Sequence, residues 1–297
     1  MERVTSTTIG QQMLDGLQTS LGRVSQAQQE LSSGKKINNY SDAPADATAA
    51  LRMQAEESDW TSYGKAADDG VAWLNTQDSA LQNASTLMLR VRELTVAGVS
   101  SINDQSSLNA MADEIDGMTT EMSGIANTSY QGQSVFGGFA SKAVQQTGNT
   151  YSFVGDNGAV NRRVSPDMVV QVNGNGQQIF GFTSGQTDVF TVLKTVAADL
   201  RAGNLNALSN ADIGLVDAAS SNIRGGLTAT GARTNVIDAA KANGSSQIAT
   251  LKDARSGLED VDLAATTLEM QLAQTGYQAA LSATARLSIP TLVDFLK

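Results

Sequence analysis

The sequence predicts a mainly α-helical, elongated protein with a small central β insertion (an α+β protein), in which the N- and C-terminal helices pair as a coiled coil. Apolar residues recur at three- and four-residue intervals near both ends of the chain and through most of the sequence between them. This spacing keeps one side of a helix facing a partner. The exception is a glycine-rich segment with short β-prone runs at residues 133–186, which predicts the insertion.

Both ends of the chain carry an apolar stripe at helical spacing. The N-terminal stripe has Gln28 in its one polar position and otherwise consists of Leu14, Leu17, Leu21, Val24 and Leu31. The C-terminal stripe consists of Leu258, Val261, Ala265, Leu268 and Leu272. Because a short helix with an exposed apolar stripe is only marginally stable in water, we expect both helices to be buried against other helices. The pattern therefore favours assembly over catalysis.

Turn-forming residues mark where the N-terminal half changes direction. The first helix is expected to end near Ser33-Gly34, because glycine commonly follows a helix C-terminus. A second helix is expected to have Pro44 in its first turn and to reach Gly98. After a break at Asn103-Asp104, a third helix carries the most regular stripe in the sequence: Leu108, Met111, Ile115, Met118, Met122 and Ile125. These residues predict the core of a helix bundle.

The middle of the sequence predicts short strands. Residues 151–154 and 169–172 each precede a turn rich in Gly and Asn, and residues 179–182 are interpreted as a further strand. Helix is expected to return at Asp188. From Ile213 a single phase of apolar residues predicts a long rod, with a hinge near Asn243-Gly244 and a restart at the capping-box sequence of residues 256–259.

This order predicts nested domains, since the helices at the two ends flank the insertion. The two ends of the chain are therefore expected to lie side by side, with the insertion between two helical halves.

Composition excludes several classes of function. A formal net charge of −10 and no basic stripe argue against nucleic-acid binding, which requires clustered Lys and Arg. The absence of Cys and His excludes thiol nucleophiles, disulfides and imidazole bases. No apolar run reaches the roughly 18 residues that span a bilayer, so no membrane partner is predicted. The N-terminus also lacks the apolar core of a cleaved secretory signal. We therefore expect a cytosolic protein, or export by a route that reads no such signal.

Candidate chemical motifs are weak. Ser32 and Lys35 match Ser-x-x-Lys, but the companion motifs of penicillin-binding enzymes are absent, so a helix C-terminus is the better interpretation. The acidic pairs Glu56-Glu57 and Asp68-Asp69 lie on predicted helices, where adjacent side chains diverge. No catalytic, cofactor-binding or metal-binding residue is predicted.

Two segments carry a family resemblance. The sequence Leu-Ser-Ser-Gly-Lys-Lys-Ile-Asn at residues 31–38, followed by Ser-Asp-Ala-Pro-Ala-Asp at 41–46, resembles the N-terminal signature of bacterial flagellins and their relatives. The run at residues 260–264 and the tail at 292–296 resemble the matching C-terminal end. Within the family, Ser-Asp-Ala-Pro and the Val-Phe-Gly-Gly segment at residues 135–138 resemble hook-filament junction members more than filament flagellin.

The resemblance implies a structural subunit of the flagellum that connects the hook to the flagellin filament. It implies an inner coiled-coil assembly domain from residues 1–44 and 256–297, a helical rod from residues 45–135 and 187–255, and an outward-facing β domain from residues 136–186. It implies hook-associated protein 1 as the partner on the hook side, flagellin on the filament side, a homo-oligomeric ring, and an export chaperone before type III secretion to the extracellular flagellum. It places the assembly interface in the two terminal stripes and the C-terminal tail. The predicted interface residues are Leu14, Leu17, Leu21, Val24, Leu31, Leu258, Val261, Leu268, Leu272, Leu292, Phe295 and Leu296. Filament flagellin stays open as the alternative, and so does an adhesin or glycan-binding protein acting through the β insertion.

Overall fold

The computed structural model describes residues 6–39, 41, 43–100 and 104–287. The chain divides into two compact units. One unit contains residues 1–59 and 247–297, and the other contains residues 60–246. We call them the terminal unit and the central unit.

Helices form most of both units. In chain order they are α1 (Ser6–Ser33), α2 (Pro44–Gly98), α3 (Gln105–Ala126), α4 (Gly176–Ile179), α5 (Val189–Ala202), α6 (Leu205–Ala207), α7 (Ile213–Glu259) and α8 (Leu263–Leu287). A π-helical stretch, Leu208–Asp212, leads directly into α7. The predicted mainly helical fold is confirmed.

The strands pair as antiparallel hairpins within the central unit. They are β1 (Ser129–Tyr130) with β2 (Gln133–Ser134), β3 (Val144–Thr147) with β4 (Thr150–Phe153), and β5 (Asn161–Ser165) with β6 (Met168–Gln171). Asn127, which ends α3, anchors the second hairpin. Its side-chain amide donates to the carbonyl of Val144 and its carbonyl accepts from the N–H groups of Ala143 and Val144.

The central unit has a continuous apolar core that helices and hairpins share. The rings of Phe136 and Phe180 meet edge to face at 5.3 Å, and Tyr151 of β4 stacks on Phe190 of α5 at 4.5 Å. The regular stripe of α3 enters this core as predicted, with Leu108, Ile115 and Met122 fully buried. Burying such side chains stabilises a fold by roughly 1.5–3 kcal/mol each.

Local chemistry explains where most helices begin and end. Gly34 follows α1 with a left-handed φ of 71°, Pro44 begins α2, and Asp104 caps α3 by accepting from the N–H of Ser107. Asp188 caps α5 by accepting from the N–H of Thr191. These four positions agree with the sequence predictions.

Two predictions are wrong. Residues 179–182 form no strand, because the Asn175 side chain accepts from Gln178 N–H and starts the short helix α4. Helix α7 continues unbroken through Asn243-Gly244, where Gly244 packs close to the Trp60 ring, and the hinge there stays a prediction. The last helix does not restart at the capping-box sequence of residues 256–259, since α7 continues to Glu259 and α8 begins at Leu263.

Candidate assembly surface

The segment that resembles the flagellin signature forms a joint between the two ends of the chain. Two backbone hydrogen bonds connect the segments in opposite directions. The Lys36 N–H donates to the Glu259 carbonyl at 2.6 Å, and the Val261 N–H donates to the Gly34 carbonyl at 3.1 Å. The Lys35 ammonium pairs with the Glu259 carboxylate at 2.8 Å. The joint therefore places the end of α1 beside the start of α8.

Helix α8 starts at this joint because Asp262 caps it. The Asp262 carboxylate accepts from the N–H groups of Ala264 and Ala265, which have no partners within the helix. A negative side chain also interacts favourably with the positive end of the helix dipole. Since α1 ends where α8 begins and the two helices pack together, they run antiparallel.

The facing surfaces of α1 and α8 follow heptad spacing. Among residues 11–33 of α1, the buried or half-buried positions at this spacing are Met13, Leu17, Ser20, Val24, Ala27 and Leu31, and Glu30 beside them is also half-buried. The matching positions of α8 are Thr266, Met270, Ala273, Tyr277, Ala280 and Thr284. Both sets alternate intervals of four and three residues, as expected for two helices that contact along one stripe.

Other leucines of this helix pair point away from that contact. Leu14 and Leu21 of α1 are 55% and 50% exposed, and Leu268 and Leu272 of α8 are 59% and 65% exposed. At 3.6 residues per turn, Leu14 and Leu21 lie about 90° from the α8-facing stripe, and Leu268 and Leu272 lie on the far side of α8. Further leucines of α8, Leu263 and Leu281, are 59% and 42% exposed. The pair thus presents apolar side chains that its own fold does not cover.

The structure divides the predicted interface residues into three groups. Half-buried positions are Leu17, Val24, Leu31, Leu258 and Val261. Exposed positions are Leu14, Leu21, Leu268 and Leu272. The tail residues Leu292, Phe295 and Leu296 lie outside the described residues.

The predicted C-terminal stripe does not lie on one helix, and this part of the prediction is wrong. Residues 260–262 leave the helical conformation between α7 and α8, so Leu258 and Leu268 belong to different helices. The α1-facing stripe of α8 carries a weak apolar signal in the sequence, because it holds Ala273, Ala280 and Thr284 in place of leucines. Its heptad spacing was the available signal.

The acidic pairs of the helices take part in ion pairs. Glu57 pairs with Lys252 and Arg255, Asp68 with Lys241, and Asp69 with Arg162. Across residues 6–39, 41, 43–100 and 104–287, no group of acidic side chains has the arrangement of a metal site. No helix in those ranges is long and apolar enough to cross a bilayer.

Two family models match the ends of the chain. Residues 4–141 match the bacterial flagellin N-terminal helical region, and residues 213–296 match the bacterial flagellin C-terminal helical region. The flagellin of Bacillus subtilis is 26% identical over 245 residues, which is 80% of this chain and 80% of that protein. Other flagellins are matched over about a third of their own length, 35% and 37% in two cases.

Solved structures of hook-associated proteins share the fold. One from Vibrio parahaemolyticus has a TM-score of 0.69 at 18% identity, and the match covers 74% of this chain and 100% of that one. Flagellar hook-associated protein 3 of Legionella pneumophila has a TM-score of 0.62 at 13% identity, with 69% of this chain and 99% of that one covered.

Proposed function

Because the chain belongs to the bacterial flagellin family and is a structural component of the flagellum, we propose that it is the subunit that connects the hook to the filament. The observation that carries this proposal is the match to hook-associated proteins along 99–100% of their chains. The Ser-Asp-Ala-Pro sequence and the Val-Phe-Gly-Gly segment add support from the sequence.

The exposed leucines of α1 and α8 supply the attachment surface in this proposal. In the assembled flagellum, helices of neighbouring subunits cover Leu14, Leu21, Leu268 and Leu272, which the isolated chain leaves more than 40% exposed. Removing a leucine side chain from water contributes roughly 1.5–3 kcal/mol, so a few such contacts per subunit stabilise a ring of copies. The half-buried residues Leu17, Val24, Leu31, Leu258 and Val261, together with Leu292, Phe295 and Leu296, complete the proposed interface.

The proposed partners follow from the position at the junction. Hook-associated protein 1 binds on the hook side, flagellin binds on the filament side, and copies of this chain form a ring. An export chaperone holds the subunit before type III secretion, which uses no cleaved signal, and the assembled protein is extracellular. Its role is mechanical and non-catalytic.

A double substitution on the attachment surface tests the proposal. Leu21→Asp with Leu268→Asp places charges on two exposed apolar positions, so we expect a soluble, folded monomer that fails to hold the filament. The matched control is Gln12→Asp with Gln274→Asp, which adds the same charges to exposed polar positions of the same helices. Swimming and filament length are measured in cells that carry each variant as their only copy. Normal swimming of the leucine variant would refute the attachment surface.

Deletion distinguishes this role from that of filament flagellin, the alternative. Loss of a junction subunit leaves flagellin synthesised and exported but shed into the medium, because nothing attaches it to the hook. Loss of the only flagellin leaves no filament protein in either fraction. Immunoblots of cells and medium from the deletion strain separate the two outcomes.

A further inference from the structure

A polar cavity in the central unit lies outside the helix pair proposed for assembly. It has a volume of about 250 Å³ and opens between α7, the part of α2 that carries Gln77, and the segment that leads from β6 into α4. Three glycines, Gly174, Gly225 and Gly226, form part of its lining. The volume lies just below the roughly 300–1,000 Å³ of pockets that hold drug-sized ligands. The cavity therefore suits a molecule of monosaccharide size.

One face of α7 forms the long side of this cavity. Asn222, Gly226, Ala229 and Arg233 follow one another at intervals of four, three and four residues, which places them in a row along the helix. The row carries polar groups at both ends and small residues between them. This arrangement leaves room above the helix while it keeps hydrogen-bonding groups at either end.

Arg233 brings a positive charge that the protein does not neutralise. One guanidinium nitrogen, Nη1, donates to the Asn173 carbonyl at 2.7 Å. No carboxylate among the described residues lies within 4.0 Å of it. Burial lowers the pKa of Arg233, because low-dielectric surroundings disfavour the charged form. An anion bound beside the guanidinium would relieve this cost.

Gln77 belongs to the cavity lining but is only 1% exposed. Its Nε2 donates to the Thr230 hydroxyl at 2.6 Å, and that hydroxyl donates to the Gly226 carbonyl at 2.9 Å. The remaining atom, Oε1, has no hydrogen-bond partner in the part of the chain that the structure describes and almost no accessible surface, so a ligand in the cavity does not reach it. The polar groups that the cavity offers to a ligand are therefore mainly those of α7.

We propose that this cavity binds a small carboxylate. The carboxylate group pairs with Arg233, for which a planar anion offers two parallel hydrogen bonds. The Asn222 amide, at the other end of the row on α7, meets further polar groups of the ligand. Ordered water carries no charge to offset the guanidinium. The cavity therefore selects an anion over a neutral molecule of the same size.

The test uses the full-length monomer with D-glucuronate and D-gluconate as probes and D-glucose as the neutral comparison. Ligand-observed NMR titration measures the dissociation constants. We expect at least one of the two acids to bind about tenfold or more tightly than glucose, since a charge-assisted hydrogen bond contributes about 1.5–3 kcal/mol. Arg233→Gln should weaken binding of the acid by about the same factor and leave glucose unchanged.

A matched pair of variants locates the binding at the cavity. Ala229→Trp places a large side chain over the lining, whereas Ala232→Trp places it on an exposed position of the same helix outside the cavity. We expect the first to abolish binding and the second to change it less than about twofold, a negligible change in free energy. Circular dichroism confirms that both variants keep the fold. Absence of saturable binding of both acids, or equal binding in the two variants, overturns the proposal.

Discussion

The two units of this chain treat their apolar side chains in opposite ways. In the central unit, large residues such as Trp73, Leu81 and Phe136 are at most 1% exposed. In the terminal unit, the fully buried apolar residues of the described ranges are Ala27, Ala47 and Ala50, while four leucines of α1 and α8 are 50–65% exposed: Leu14, Leu21, Leu268 and Leu272. One region covers its own core, and the other leaves several large apolar side chains in water.

This difference in burial indicates where each unit obtains its stability. The central unit buries enough apolar surface to offset the conformational entropy that folding costs. The terminal unit fixes the course of the chain through backbone hydrogen bonds at the joint and one heptad contact, and gains little from burial. A region of this kind is stabilised further by binding to other subunits, which agrees with the proposed role.

The largest effect on stability is expected when the same substitution, leucine to alanine, is made in each of the two units. Leu81→Ala removes a fully buried side chain of α2 and should lower the free energy of unfolding of the monomer by about 2–5 kcal/mol. Leu272→Ala removes a side chain that is 65% exposed and should change it by less than about 0.5 kcal/mol. Urea unfolding monitored by circular dichroism measures both. Equal losses would mean that the monomer buries Leu272 in solution and would remove the contrast between the units.

The central unit, although well packed, contains a buried carboxyl group that destabilises it. Asp212 ends the π-helical stretch, is 1% exposed, and has a carboxylate oxygen, Oδ2, without a hydrogen-bond partner in the described structure. Burial, followed by the charge of neighbouring Asp199, raises the pKa of Asp212 to about 6. Asn204 donates to the Asp199 carboxylate, so Asp199 is held in place beside it.

The sign of the pH effect follows from this shift. An Asp in the unfolded chain has a pKa of about 3.9, so the folded state binds more protons between about pH 4 and pH 6. Stability contributed by this group therefore falls as the pH rises through that window. Asp212→Asn should raise the free energy of unfolding by about 1–3 kcal/mol at pH 7 and leave it nearly unchanged below about pH 4.

Denaturant unfolding at several pH values measures the effect of Asp212→Asn. Asp217→Asn is the control, since Asp217 is exposed and pairs with Arg92 at 2.8 Å. Its removal should cost less than about 1 kcal/mol and show no gain at neutral pH. A loss of stability in Asp212→Asn at pH 7 would show that the charged form of Asp212 is favoured in the folded protein.

Much of the fold is predictable because the residues that begin and end its helices act locally. Gly34, Pro44, Asp104 and Asp188 mark helix ends through backbone conformation or side-chain capping, and neither depends on distant residues. The regular stripe of α3 is predictable for the same reason, since periodicity alone identifies its buried face. The hairpins are harder to predict, because β3 and β5 each bury only one residue, Val144 and Val164 respectively.

The errors have physical causes that lie outside local sequence. Apolar spacing continues from Leu258 through Val261, so it hides the break that backbone pairing with Gly34 and Lys36 imposes. At the candidate surface, the leucines identify the exposed groups but not the contact between α1 and α8. That contact depends on small residues of α8 such as Ala273, and their role becomes visible only when the partner helix is known.

A smaller effect is expected at the joint of the terminal unit. Gly34 has a φ of 71°, and a Cβ there would meet no atom within 4 Å, so Gly34→Ala costs only backbone strain of about 1–2 kcal/mol. Gly22→Ala, in the middle of α1 with equally open surroundings, should instead stabilise the helix by about 0.5–1 kcal/mol. Hydrogen exchange of the α1 amides measures both changes. Similar effects of the two substitutions would mean that the joint does not require the left-handed conformation.

The smallest expected effect concerns the ion pair across the same joint. Lys35 and Glu259 are 51% and 19% exposed at their side chains, so Lys35→Met should reduce the protection of the Lys36 and Val261 amides by less than about 0.5 kcal/mol. Lys36→Met is the control, because the Lys36 side chain forms no ion pair among the described residues. The difference between the two variants should vanish at about 1 M salt, where exposed charges are screened. A loss above about 1 kcal/mol that persists at high salt would mean that charge, rather than backbone pairing, holds the two ends of the chain together.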